Sequence, residues 1–161
     1  MGRRKKEQLV EIGLLLKRNL KDVVDIEKKA CSVDDEDFGT MVSEYAWSST
    51  DFINFIRKKN TYAYVIKEGD LVVGFFLLEV HENEVSIERI CIDKNYRNSG
   101  FGKEVLNFIY KKEYRNKVTH TCREDDMEAI NFFKSNDFVG KLSKNHFGED
   151  KDGIKFYKDI P

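Results

Sequence analysis

The chain has 161 residues, with 28 basic and 29 acidic side chains and a formal net charge of −1. This length suits a single domain over residues 1–161, in which residues 1–10 are expected to form a flexible basic tail. The near-neutral charge argues against nucleic acid or an anionic membrane as a partner. No apolar segment is long enough to cross a bilayer, and the three cysteines lack C-x-x-C spacing, so we expect a cytoplasmic protein.

Hydrophobic periodicity and turn residues predict the elements of the N-terminal half. Ile12 to Lys17 is predicted to be a strand, and Asn19 is predicted to cap a helix that runs to Ala30. The acidic run Asp34 to Asp37 is then assigned to a loop, and Ser49 opens a second helix. Three further strands are predicted at Thr61 to Lys67, Leu71 to Val80 and Val85 to Asp93.

The C-terminal half is predicted to alternate between helices and strands. A glycine-bearing loop from Arg97 to Gly102 leads into a helix that carries Val105 and Ile109 on one side. Asp125 is predicted to cap a later helix. Strands are expected at Lys117 to Cys122, Phe138 to Leu142 and Ile154 to Lys158. Strands joined by short turns must be antiparallel, whereas strands joined across a helix can be parallel, so a mixed sheet of the α+β or α/β class is predicted.

The segment from Ile90 to Lys103 has the composition of an anion-binding loop. A strand ends, a loop carries Arg97, Gly100 and Gly102, and a helix begins. The first amides of a helix lack intrahelical acceptors and carry a partial positive charge, and glycine lets a backbone approach an anion closely. The dinucleotide and P-loop fingerprints are both absent. The loop therefore favours a pyrophosphate, and the structural alternative is a helix start that merely needs glycine.

Two segments resemble motifs of the GNAT superfamily of N-acetyltransferases. Ile87 to Asp93 followed by Arg97 to Gly102 resembles motif A, and Asp126 to Phe138 resembles the family's N-x-x-A-I-x-F-Y-x-x-x-G-F segment. The resemblance implies a GNAT-like mixed, mostly antiparallel sheet with helices on both faces. It also implies transfer of an acetyl group from acetyl-CoA to an amine, without a metal. The ribosomal-protein alanine N-acetyltransferases are the most similar group, through Asp25 to Ala30, Trp47 to Phe52 and Lys144 to Phe147.

The resemblance further implies which residues hold acetyl-CoA. Amides of the loop and of the helix start would bind the pyrophosphate. The strand before them would pair with the pantetheine arm, and one of its N–H groups would polarise the thioester carbonyl. The implied set is Ile90, Cys91, Ile92, Arg97, Asn98, Ser99, Gly100, Phe101, Gly102, Lys103, Asp126 and Phe133.

Glu88 is the first candidate for the general base. If Ile90 points into the core, Glu88 shares that face by the period of two, and burial would raise its pKa toward a useful range. The alternative is an edge carboxylate paired with a cation. Ser86 stands where some family members place a glutamate base and can only hold a water, and Thr121 stands where the alanine N-acetyltransferases have theirs. His120, beside Thr121, is expected to point to the opposite face and to be structural.

The general acid is the largest departure from the family pattern. Phe133 stands where the resemblance implies a tyrosine that protonates the departing thiolate. A thiolate is a good leaving group, so turnover without an acid is possible, and Cys122 or Tyr110 are candidates to replace it. A non-catalytic acyl-CoA-binding sensor or subunit is therefore an alternative to the enzyme.

The acceptor amine is only coarsely predicted. His146 and Phe147 fall in the loop with which peptide-acetylating relatives grip their substrate, and the acidic run Asp34 to Asp37 with Glu44 would attract a cationic amine. A protein N-terminal or lysine amine is the first prediction, and a polyamine or another small amine is the alternative. The sequence leaves monomer and homodimer open.

Overall fold

A computed structural model of the chain describes residues 10–35, 39–42, 46–97, 99–112 and 114–160. In this part of the chain the helices are α1 (Leu20–Ala30), α2 (Ser49–Arg57), α3 (Phe101–Lys112) and α4 (Met127–Ser135). The strands are β1 (Val10–Leu14), β2 (Ser32–Asp35), β3 (Gly39–Val42), β4 (Thr61–Glu68), β5 (Leu71–Val80), β6 (Val85–Ile92), β7 (Lys117–Arg123), β8 (Val139–Ser143) and β9 (Gly153–Asp159).

Seven of these strands form one mixed sheet, in the order β1-β4-β5-β6-β7-β9-β8. The pairs β1–β4, β7–β9 and β8–β9 are antiparallel, whereas β6 and β7, which are joined through α3, are parallel. A crossover helix is the connection that a parallel pair requires. The predicted class, a mostly antiparallel mixed sheet combined with helices, is confirmed.

Two elements of the N-terminal part differ from their prediction. β1 begins at Val10 and ends at Leu14, earlier than the predicted strand from Ile12 to Lys17, because its register is fixed by pairing with β4. The predicted loop around the acidic run instead contains the antiparallel pair β2–β3. Aspartate is uncommon in strands, so no strand was predicted there, but backbone pairing overrides this low propensity. Residues 36–38 and 43–45, which include Asp37 and Glu44, and residues 1–9 of the predicted basic tail lie outside the described residues, whereas Val10, the last residue of that predicted tail, belongs to β1.

The N-terminal caps of α1 and α4 also differ from those predicted. The Asn19 side chain is buried and does not cap α1; its Oδ1 accepts a hydrogen bond from the Leu16 amide at 2.9 Å. α4 is capped by Asp126 rather than by the predicted Asp125, because Asp126 Oδ1 accepts a hydrogen bond from the Ala129 amide at 3.1 Å. A carboxylate at this position satisfies one of the free N–H groups of the first turn.

One compact unit comprises residues 1–77 and 89–105. Among its described residues an apolar cluster lies beside a partly buried ion pair, in which Arg89 Nη1 lies 2.8 Å from the buried Glu27 Oε1. The Arg89 guanidinium also lies 4.5 Å from the centre of the Trp47 ring. The buried apolar residues are Leu15, Val23, Val24, Ile26, Phe52, Phe55, Ala63, Val65, Val72, Phe75 and Leu77.

The other compact unit comprises residues 78–88 and 106–161. Its interior is built around the ring of Phe133, which is fully buried. This ring stacks on His120 at 4.6 Å and on Phe156 at 5.6 Å, and it meets Phe138 edge-on at 5.0 Å. Among the described residues, no helix is long and apolar enough to cross a membrane.

Candidate active site

The predicted phosphate loop lies between the end of β6 and the start of α3. Gly100 adopts φ +83°, a conformation that favours glycine, and a side chain at this position would meet no atom within 4 Å. The Glu104 amide donates to the Gly100 carbonyl at 3.1 Å, which begins the helical hydrogen bonding. The preceding amides of the first turn have no acceptor within the helix. This geometry is that of an anion site at a helix N-terminus.

Side chains around the loop brace it rather than fill it. Arg97 Nε donates to the Ile92 carbonyl at 3.0 Å, which ties the loop to the end of β6. The Phe101 side chain is buried and stacks on Tyr96 at 6.2 Å, so only the Phe101 backbone is available to a ligand. Ser99, Gly100 and Lys103 are exposed, whereas the predicted contact Asn98 lies outside the described residues.

The pairing of β6 with β7 covers only the start of β6. The register contains Val85 with Val118 and Ser86 with Thr119, although β6 continues to Ile92. On its other side the chain at the end of β6 remains bonded, because the Asp93 amide donates to the Val73 carbonyl at 2.8 Å. Beyond Ile87, whose carbonyl is bonded to the His120 ring, the described residues of β6 have no registered partner on the β7 side, as the predicted role of Ile90 to Ile92 requires.

The thiols near these elements are held in their protonated form. Burial, with the charge of Glu27 as the next contribution, raises the pKa of Cys91 to about 12. Burial, with the charge of Asp126, raises the pKa of Cys122 to about 11. Because the thiolate is the nucleophilic form of cysteine, neither residue has the character of a covalent nucleophile at neutral pH.

The three predicted catalytic residues share one face of the β6–β7 pair. Ser86 is in register with Thr119, and the period of two then places Glu88 and Thr121 on that same face. The burial predicted for Glu88 is wrong: its side chain is exposed, and the buried face of β6 carries Val85 and Ile87 instead. Side chains alternate between the two faces of β6, so Glu88 lies on the face opposite the buried Ile87. Ile90, which shares the face of Glu88, is itself only half-buried.

Glu88 has two titratable neighbours that the sequence analysis did not identify. Ligand atoms of Glu79, His81 and Glu88 all lie within 4.8 Å of one another. Glu79 and His81 are two residues apart and therefore point to one face, and the β5–β6 turn brings Glu88 to it. The spacing of Glu79 and His81, two residues apart at the end of an apolar strand, indicates that they share a face. It does not reveal that Glu88 on the neighbouring strand lies beside them. Two carboxylates with an imidazole can accept protons, or bind a cation.

His120 and Phe133 lie in the interior rather than on the face that carries Glu88. His120 is buried, and its Nδ1 lies 2.6 Å from the Ile87 carbonyl oxygen. Since a carbonyl can only accept, Nδ1 carries the hydrogen. Burial lowers the pKa of His120, so the ring is neutral at pH 7. The structural interpretation of His120 is thus supported, and the fully buried Phe133 packs on it.

The remaining predicted residues occupy separate places in the second unit. His146 and Phe147 lie in the exposed turn after β8, with their rings 4.7 Å apart and the Arg123 guanidinium 5.5 Å from the Phe147 ring. The Tyr110 hydroxyl is buried and has no hydrogen-bond partner among the described residues, and burial raises its pKa to about 12. This high pKa, caused by burial and by the charge of Asp137, makes Tyr110 a poor proton donor, although the Lys158 Nζ lies 4.9 Å from its ring centre.

Comparison with known proteins agrees with this architecture. Residues 59–140 match the sequence model of the acetyltransferase (GNAT) domain, which is half of the chain. No curated protein matches the chain.

Several solved structures share the fold. The ribosomal-protein alanine N-acetyltransferase of Escherichia coli is 17% identical, with a TM-score of 0.70 over 94% of each chain. A spermidine N-acetyltransferase variant of Vibrio cholerae is 13% identical, with a TM-score of 0.70 over 94% of each chain. A Bacillus anthracis protein assigned as a streptothricin acetyltransferase, solved with acetyl-CoA, is 17% identical, with a TM-score of 0.69 over 94% of this chain and 99% of that one. The chain thus belongs to the GNAT family of acetyltransferases.

Proposed function

We propose that the chain transfers the acetyl group of acetyl-CoA to the α-amine of a peptide or protein. The observation that carries the proposal is Gly100 at φ +83° before the free amides of α3, at the end of a strand that has an available edge. The amides suit the pyrophosphate of acetyl-CoA, and the β6 backbone suits its pantetheine amides. The Bacillus anthracis protein of the same fold binds acetyl-CoA, which supports this choice of donor.

The chemical step is direct attack. The neutral amine nitrogen forms a bond to the thioester carbonyl carbon, and the carbon–sulfur bond then breaks. The amine loses one proton, and the CoA thiolate leaves and takes up a proton from solvent. A covalent acyl-cysteine route is disfavoured, because Cys91 and Cys122 are protonated at neutral pH. A β6 backbone N–H stabilises the oxyanion of the tetrahedral intermediate.

Glu88 is the proposed base, and it acts through water. Its exposure means that solvent reaches the carboxylate, so a bound water is the natural proton carrier between amine and Glu88. Glu79 and His81 lie within 4.8 Å and can pass the proton on to solvent. Ser86 and Thr121, on the same face, carry hydroxyls that can hold this water.

The exposure of Glu88 also bears on the acceptor. At pH 7, deprotonating a lysine amine costs about 4.6 kcal/mol, whereas an α-amine of pKa about 7.8 costs about 1 kcal/mol. A base screened by water offers less help than a buried one, because Coulomb interactions weaken in a high dielectric. This favours the acceptor that needs the least help, an α-amine, over lysine and polyamines. The exposed His146 and Phe147 are candidates to contact the peptide that carries it.

Binding of the donor is tested by thermal unfolding. Acetyl-CoA at 100 times its dissociation constant stabilises a protein by about 2.7 kcal/mol, which raises the melting temperature by several degrees. A protein whose melting temperature does not respond to saturating acetyl-CoA would contradict the proposal.

The acceptor is tested by thiol release in the presence of different amines. Peptides with a free N-terminus are expected to react faster than Nα-blocked lysine peptides and spermidine. Faster release with spermidine would assign the chain to small-amine acetylation, the activity that the Vibrio cholerae protein is named for. Stabilisation by acetyl-CoA without turnover on any amine would instead support the acyl-CoA sensor that Phe133 suggests.

A further inference from the structure

The buried imidazole of His120 occupies the place where β6 and β7 stop pairing. Ser86 and Thr119 are the last residues in register, yet both strands continue. The next carbonyl on β6, that of Ile87, accepts a hydrogen bond from His120 Nδ1 at 2.6 Å. The His120 side chain therefore donates a hydrogen bond to the first β6 carbonyl after the last pair in register.

The position of this ring is fixed by the packing around it. His120 stacks on Phe133 with ring centres 4.6 Å apart and planes 18° from parallel. Phe133 is in turn held by Phe156 and Phe138. His120 has a relative exposure of 8%, so the Ile87 carbonyl has little access to water as a substitute for the ring. An unsatisfied buried carbonyl would destabilise the folded protein, and the hydrogen bond from the ring N–H avoids this.

We infer that His120 is a positioning residue, which keeps the β6 edge beyond Ile87 open for the pantetheine arm by donating its ring N–H to the Ile87 carbonyl. This inference rests on the proposed function, because it assumes that pantetheine pairs with β6. If the ring did not bond to Ile87, that carbonyl would seek a backbone donor, and a backbone donor on β7 would close the edge. His120 thus acts on cofactor binding without touching the cofactor.

Two substitutions distinguish the packing of the His120 ring from the hydrogen bond donated by its N–H group. His120→Phe keeps an aromatic ring of similar size against Phe133 but has no N–H. His120→Asn loses the stacking, but its amide NH₂ has a donor about as far from the backbone as Nδ1. If the donor matters, His120→Asn retains CoA affinity even though it is the worse replacement for packing. A purely structural role predicts the reverse order.

Affinity for two ligands provides the readout. CoA uses both the phosphate loop and the β6 edge, whereas 3′-phosphoadenosine 5′-diphosphate lacks the pantetheine arm. We expect His120→Phe to weaken CoA about tenfold, which corresponds to the loss of one hydrogen bond, about 1.4 kcal/mol. Its affinity for 3′-phosphoadenosine 5′-diphosphate is expected to change less than twofold. Calorimetric titration of the parent and both variants measures this difference.

Phe138→Leu is the matched control, because Phe138 packs on the same Phe133 ring and its loss destabilises the aromatic cluster. We expect this variant to lower the melting temperature and leave both affinities unchanged. Equal losses for the two ligands in His120→Phe, or parent-like CoA binding in that variant, would overturn this inference alone. Loss of CoA affinity in a folded His120→Asn would overturn it as well. A parent protein that does not bind CoA would overturn the proposed function and this inference together.

Discussion

The phosphate loop (Arg97 to Gly102) and the acceptor face, which we define as the side chains of Glu79, His81 and Glu88, rely on different parts of the polypeptide. At the loop, the proposed contacts come from backbone amides, and the nearby side chains of Arg97 and Phe101 only brace the chain. At the acceptor face, the proposed contacts come from the side chains of Glu79, His81 and Glu88, which converge within 4.8 Å. The first region needs a conformation, whereas the second needs particular functional groups in register.

This difference explains what each region can reveal about function. A backbone site depends on few residues with unusual φ, so its signature is short and easy to recognise, and it identifies the donor. A side-chain face can change one residue at a time without altering the fold. The glycine-bearing loop motif therefore carries no information about which amine is acetylated. Proteins of one fold diverge in function through such side-chain sites.

The largest effect is expected from a β-branched residue at the loop glycine. Gly100→Val places valine at φ +83°, where such side chains are strained, so the loop must rearrange and its amides no longer converge. We expect the affinity for acetyl-CoA to fall about 100-fold, or about 2.7 kcal/mol. Isothermal titration calorimetry measures it.

Gly69 supplies the control for this prediction. It has φ +61° in the turn between β4 and β5, and a side chain there also meets no atom within 4 Å. Gly69→Val therefore introduces a similar backbone strain without touching the loop. Equal loss of acetyl-CoA affinity in both variants would show that strain, rather than the anion site, is responsible.

A comparably large effect on rate, but not on donor affinity, is expected at the acceptor face. Glu88→Gln keeps the shape of the side chain and removes its ability to accept a proton. We expect kcat to fall about 100-fold, the low end for a positioned general base, with an unchanged dissociation constant for acetyl-CoA. Glu82→Gln, an exposed carboxylate in the same β5–β6 turn, controls for the loss of charge. An unaltered pH–rate profile in Glu88→Gln would remove this residue from the mechanism.

A smaller effect is expected from restoring the family's tyrosine in the interior. Phe133 is fully buried among aromatic rings, so the hydroxyl of Phe133→Tyr would enter an apolar site. Unless it finds a partner, this costs roughly 1–3 kcal/mol of unfolding free energy. Urea unfolding measures the loss, and we expect no gain in turnover. A faster and equally stable variant would show that the hydroxyl reaches the departing thiolate.

The smallest effect is the pH dependence that His120 gives to stability. Burial lowers the pKa of His120 in the folded protein, so the unfolded chain binds the extra proton first as the pH falls. The unfolding free energy should therefore be intact above about pH 6.5 and decrease below it, by at most about 1.4 kcal/mol per pH unit. The hydrogen bond to the Ile87 carbonyl and then the charge of Asp126 oppose this lowering of the His120 pKa.

The comparison of unfolding between pH 7.5 and 5.5 in the parent and in His120→Asn isolates this contribution, because asparagine does not titrate. Identical pH slopes would show that His120 contributes nothing to the acid sensitivity of the folded protein.

The sequence by itself determined the family, the class of sheet and the strand–loop–helix that carries Gly100. These follow from local rules: alternation marks strands, a 3.6-residue period marks helices, and glycine at a helix start marks an anion site. The same local rules missed β2 and β3, because strand pairing can override the low strand propensity of aspartate.

Only the tertiary structure decided which side chains meet. Glu79 and His81 reach Glu88 because a turn brings β5 beside β6, and Glu88 is exposed because the sheet buries Val85 and Ile87 instead. The bond from His120 to Ile87 joins two strands that lie 33 positions apart. Such contacts depend on register and on which face is covered, and a one-residue shift in register would reverse every side chain on a strand.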